Sequence, residues 1–146
     1  LKALKLALLL LFLQPGAPCI YYGTEAGLAG GPSSERSSGP EPACREAFPW
    51  DQPWSADLTA YIHQLAELRR QHAVIQQGEL SWRSVGSDGL VAQAEGLELW
   101  INRSRHAALV LTDALASAEV LWSTEEATAV GAIATQTAAL LLTTPR

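Results

Sequence analysis

Methionine is absent from this chain of 146 residues, cysteine occurs twice and histidine three times. A chain without methionine does not begin at a start codon, so a piece or a processed product of a longer polypeptide is the first expectation. Two cysteines, Cys19 and Cys44, are too few for a disulfide scaffold or a four-cysteine zinc site. His63, His72 and His106 stand far apart and show no HExxH or similar metal-ligand spacing. Basic residues are the scarcer charge, ten against fifteen acidic, for a net charge of -5. A phosphate-backbone binder needs a basic face, so general nucleic-acid binding is disfavoured. What is abundant is apolar: 48% of residues are hydrophobic and 17% charged. That is a globular composition, sized for one ordinary domain or pieces of two small ones.

The N-terminal run LKALKLALLLLFL, residues 1–13, sets two lysines before an apolar stretch, then Pro15, Gly16 and Cys19. It has the outline of a signal peptide, and it is shorter than the about 20 apolar residues that cross a bilayer. Leucine and alanine are strong helix formers, and an all-round apolar helix suits a site covered on both sides. A buried helix stopped by Pro15-Gly16 is the preferred reading, because a strand follows it. On that reading a cytoplasmic location is favoured. Residues 17–22, APCIYY, form a short apolar run between Gly16 and Gly23, the pattern of a buried strand of the parallel type. Residues 23–51 are rich in Gly, Pro and Ser without periodicity and read as a long loop.

Leu58, Tyr61, Ile62, Leu65 and Leu68 recur at helical spacing behind Ser55 or Asp57 as cap. Arg69, Arg70 and His72 close that helix, where positive charge suits its dipole. Asp57, Glu67 and the arginines read as a solvated face. After Gly78 the texture changes. Residues 80–85, 90–94, 97–102, 107–112, 119–123 and 138–143 are short β-compatible runs separated by turn residues, as in antiparallel hairpins. Residues 125–137 remain unassigned. A boundary near Gly78 divides the chain into 1–78 and 79–146.

The most specific feature is QPGAPCIYYGTEAGLAGG, residues 14–31, with PACREAFPWD, residues 42–51, downstream. Together they resemble the alpha-amylase family of glycoside hydrolases, in its neopullulanase, cyclomaltodextrinase and maltogenic-amylase branch. The resemblance extends through the helix over residues 58–70 and weakens after Gly78, where the segment LWINRS, residues 99–104, is typical of the family's C-terminal β-domain. Two departures stand out: Glu41 where the family has Asp in its DPxCR segment, and a Ser-rich insertion between Gly31 and Pro40. The usual Asp of YYGDE is Thr24.

The resemblance implies an α/β then all-β chain: the C-terminal segment of a (β/α)8 TIM barrel, followed by a small antiparallel β-sandwich domain. It implies retaining hydrolysis of α-glucosidic bonds in maltooligosaccharides, cyclodextrins or pullulan. The implied partners are an oligosaccharide or α-glucan substrate and the remainder of the barrel, with no nucleic acid, no membrane and no cofactor. Catalytic carboxylates of the family sit after earlier barrel strands, before Leu1, so none is expected here, and Glu25 is expected to brace the barrel mouth.

Residues just past a barrel strand's C-terminal end face the active site, and Glu41 and Arg45 stand one helical turn apart there. A carboxylate accepts from sugar hydroxyls and a guanidinium donates in a planar fork. Either these two bind sugar or they pair with each other and brace the loop. Trp50 and Trp54 are expected as packing beneath the loop, with stacking on a sugar face as the alternative. Cys19 and Cys44 are expected as free thiols. Asn102-Arg103-Ser104 fits both a glycosylation acceptor and a short turn. A non-catalytic carbohydrate-binding module is the competing reading. It predicts exposed aromatics on one sheet face, where only Trp82, Trp100 and Trp122 are available.

Overall fold

The computed structural model describes residues 1–28, 48, 50–51, 55–77, 80–94, 96–111, 119–124, 132–134 and 136–142. The leucine-rich N-terminus forms helix α1, Lys2–Phe12. Helix α2, Ala56–Gln71, starts at Ser55, whose hydroxyl accepts from the Leu58 N–H and so satisfies one of the helix's orphan donors. Asp57 in its first turn and Arg69 and Arg70 in its last complement the helix dipole. A short helix, α3, Ala73–Gln77, follows His72.

The rest is β-structure. Strands β1 Ser81–Val85, β2 Gly89–Ala94, β3 Leu97–Asn102, β5 Glu119–Ser123 and β7 Thr137–Leu142 form one antiparallel sheet in the order β1-β2-β3-β7-β5. Strands β4 Leu109–Val110 and β6 Ala132–Ile133 pair as a separate ribbon. The turn between β1 and β2 requires glycine at its exit. A Cβ on Gly89 would lie 2.4 Å from the Val85 carbonyl oxygen, closer than any side chain tolerates.

Alternation along the strands sends residues to two faces. One face carries Ala92, Leu99, Ile101 and Ala138 against Leu6, Leu9 and Phe12 of α1, Leu58, Leu65 and Leu68 of α2, and Ile75 of α3. The opposite face carries Val91, Trp100, Ala139 and Leu141, packed with Leu111 and Ile133 around the ribbon. The helices and the sheet therefore share one apolar cluster across the Gly78 boundary.

Three expectations change. Residues 17–22 are not a strand: among the described residues they pair with no sheet, and Tyr21 and Tyr22 are exposed. A parallel strand takes its hydrogen bonds from neighbouring strands, and the sheet here lies beyond residue 80. Among the described residues, helix α1 buries Leu6, Leu8, Leu9 and Phe12 in the cluster it shares with α2 and the sheet, while Leu1 and Leu4 are exposed. Among the described residues 107–111, the strand is the two-residue Leu109–Val110, and its partner β6 falls within residues 125–137. No helix among the described residues is long and apolar enough to cross a membrane.

Candidate functional site

The motif over residues 14–28 leaves the end of α1, runs beside α2 and turns back on itself. Gly16 takes φ +89° and Gly23 also takes φ +89°, a left-handed conformation that glycine adopts without steric cost. Gly23 is further constrained by space, since an added Cβ would lie 2.4 Å from Cδ1 of Leu28. Its carbonyl accepts from the N–H groups of Ala26 and Leu28, and the Tyr21 carbonyl accepts from Thr24. The YYGTE sequence is thus a compact hydrogen-bonded turn rather than the end of a strand. The rings of Tyr21 and Tyr22 stand 4.6 Å apart between centroids, tilted by 40°.

Two side chains of α2 grip this segment. The Arg69 guanidinium donates to the carbonyls of Phe12 and Gln14 at the end of α1, of Gly16 in the turn, and of Ile75 in α3. Arg69 is therefore not part of a solvated face. It satisfies the carbonyls that a helix C-terminus leaves without partners, using the fork geometry of its five N–H donors. At the other end of the motif, the Thr59 hydroxyl donates to the Glu25 carbonyl at 3.2 Å. Glu67 and Arg70 do form a solvated pair at 2.6 Å. Hydrogen bonds from Arg70 and Gln71 hold the Glu67 carboxyl below the usual range.

The α1–α2 contact is polar as well as apolar. Lys5 Nζ meets Asp57 at 3.0 Å, lies 5.2 Å from the centroid of the Tyr61 ring, and its backbone carbonyl accepts from the Tyr61 hydroxyl at 2.9 Å. Burial pushes the Tyr61 phenol above its ordinary value.

Glu41, Arg45, Cys44 and Trp54 lie outside the described residues. Trp50 is 78% exposed, and its ring meets Phe48 with centroids 4.6 Å apart. It belongs to neither apolar cluster, so packing beneath the loop does not describe it. Cys19 is an exposed free thiol. Among the described residues, no group of three His, Cys, Asp or Glu side chains is placed to hold a metal ion.

Trp100 is 2% exposed and offers no stacking platform. Its indole N–H donates to Glu98 at 2.8 Å, and the Arg83 guanidinium covers its face. Asn102 is buried. Its amide nitrogen donates to the carbonyls of Ala107, Ile133 and Ala134, and its amide oxygen accepts from the Ser104 N–H. The turn reading of Asn102-Arg103-Ser104 is the one its surroundings fit. Arg69, Thr59 and Asn102 were invisible as a set in the sequence, because all three act on backbone carbonyls, which no residue pattern identifies.

No family model matches the chain. Curated relatives do. A cyclomaltodextrinase of a Bacillus species is 38% identical over 78 residues, 53% of this chain and 12% of the relative. The cyclomaltodextrinase of Geobacillus thermopakistaniensis is 31% identical over 114 residues, 73% of this chain and 18% of the relative. Maltogenic amylases and amylopullulanases match as well. The chain thus spans less than a fifth of the length of these two relatives. Among solved structures, an alpha-amylase from H. orenii superposes with a TM-score of 0.71 at 17% identity, covering 98% of this chain and 36% of that one. At that identity the likeness speaks for the fold alone. The sequence matches carry the kinship, and they place this chain in the alpha-amylase family of glycoside hydrolases, with cyclomaltodextrinases and maltogenic amylases as relatives.

Proposed function

We propose that residues 1–78 are the closing part of a (β/α)8 barrel and residues 79–146 its C-terminal β domain. The whole enzyme would hydrolyse α-glucosidic bonds in maltooligosaccharides, cyclodextrins or pullulan. The observation that carries this reading is the 31% identity with a cyclomaltodextrinase across 73% of the chain. Retaining hydrolysis uses two carboxylates about 5–5.5 Å apart, one as nucleophile and one as acid and base. On this reading both lie in the preceding part of the barrel, and this chain forms one wall of the sugar cleft. Glu41 and Arg45 bind substrate, the carboxylate accepting from hydroxyls and the guanidinium donating to them.

The test is Arg45→Ala in the full-length protein, assayed on cyclodextrin and maltotriose beside thermal melts. Loss of charge-assisted hydrogen bonds of about 1.5–3 kcal/mol should raise KM more than roughly tenfold with kcat held, as expected for a contact equal in ground and transition states. Glu41→Asp should be neutral or improve binding. A lowered melting temperature with unaltered KM and kcat would assign Arg45 to bracing the loop instead.

A further inference from the structure

Residues 17–22 carry the most specific motif of the chain, yet no strand holds them among the described residues. Both of their flanks are instead tied to one helix. Gly16 is held through its carbonyl by Arg69, and Glu25 through its carbonyl by Thr59. Thr59 and Arg69 are ten positions apart on α2, about 15 Å along a helix rising 1.5 Å per residue. The helix acts as a ruler, and residues 17–22, which lie between its two attachment points, are bounded by two left-handed glycines, Gly16 and Gly23. Arg69 also holds the Phe12 and Gln14 carbonyls, so the exit of α1 and the start of the motif are set by one guanidinium.

We propose that Arg69 and Thr59 are positioning residues that clasp the two ends of the 16–25 segment onto α2 and thereby place Tyr21, Tyr22 and Glu25 at the sugar cleft. The cleft itself rests on the function proposed above. The clasp does not, because it is built from contacts within this chain. A guanidinium suits the first position because it reaches several carbonyls at once in a rigid plane. A lysine ammonium is a single point of donation on a flexible stem.

The experiment has two arms. In this chain, backbone hydrogen exchange is followed at the hydrogen-bonded amides beside the two attachment points, Leu13 and Gln14 near Arg69 and Thr24, Ala26 and Gly27 near Thr59, in Arg69→Lys, Thr59→Val and Thr59→Ser, with Glu67→Gln as a control on the same helix. Releasing one clasp should speed exchange about tenfold at its own end in Arg69→Lys and Thr59→Val. Thr59→Ser, which keeps the hydroxyl, should restore the parent rates, and Glu67→Gln should leave them unchanged. Parent-like rates in both Arg69→Lys and Thr59→Val would overturn the clasp. In the full-length protein, the same two variants should lower kcat/KM on cyclodextrin about tenfold at a melting temperature near that of the parent, with Thr59→Ser rescuing activity. Faster exchange with unaltered kcat/KM would overturn the positioning role and leave the contacts purely structural. A full-length protein without activity on any α-glucan would instead sink the proposed function, and the exchange arm would still decide the clasp.

Discussion

Asn102 shows how one side chain can serve several strands' ends. Its amide meets three carbonyls from two separated stretches and one N–H of its own turn. Removing it takes a partner from the buried Ile133 carbonyl and a hydrogen bond from each of the part-buried Ala107, Ala134 and Ser104 groups, which costs about 1–3 kcal/mol. Asn102→Ala should lower the urea midpoint accordingly with little change in the denaturant slope. Tyr61 gives a prediction in pH. Burial raises its phenol, so the folded state keeps this proton where an unfolded tyrosine, near pH 10, has released it. The unfolded state then binds fewer protons, and stability falls as pH rises above about 10 while remaining flat below. Tyr61→Phe should remove that share of the alkaline loss, at a cost of about 1 kcal/mol at neutral pH for the hydrogen bond to the Lys5 carbonyl. Urea midpoints across the alkaline range read both effects.

At the scale of the element, the legible pieces were those whose signal is local. Strand β3, Leu97–Asn102, and strand β5, Glu119–Ser123, have the bounds their residue runs predicted, and α2 buries Leu58, Tyr61, Leu65 and Leu68 as its spacing predicted. Helix α1 was harder to place. Its run is apolar on nearly every side, so composition could not say which side meets the core. The packing puts Leu9 fully inside and leaves Leu4 36% exposed. Leu9→Ala should therefore cost about 2–5 kcal/mol, whereas Leu4→Lys should stay within about 0.5 kcal/mol. Equal losses in thermal melts of the two variants would mean that α1 is covered all round, as its composition first suggested. Strand β6 escaped notice because two residues in an Ala- and Thr-rich stretch carry no periodicity.

At the scale of the whole molecule, the helices and the sheet bury one another. Leu68, Ile75, Ala92 and Leu99 belong to the same cluster, so apolar packing runs across the boundary proposed near Gly78. The chain covers 12% and 18% of two cyclomaltodextrinase relatives, and the proposed reaction places both carboxylates in the remainder. The isolated chain should accordingly release no reducing sugar from maltotriose, cyclodextrin or pullulan. Turnover by the purified chain that disappears in Glu25→Gln would make Glu25 catalytic and overturn that assignment.

The kinship and the strongly periodic elements are local properties of the chain. The motif over residues 14–31, the apolar face of α2 and the short β-compatible runs of β2 and β3 between turn residues are written in neighbouring residues. Tertiary structure decided what depends on distant partners. Residues 17–22 have a strand's composition, but a strand exists only where another lies beside it, and here the segment is tied to α2 instead. Arg69 has the composition of a surface residue, yet it faces the ends of α1 and α3. Trp100 has the composition of a binding aromatic, yet the sheet buries it against Glu98 and Arg83. In each case the residue type allowed several surroundings, and packing chose among them with partners that no local pattern names.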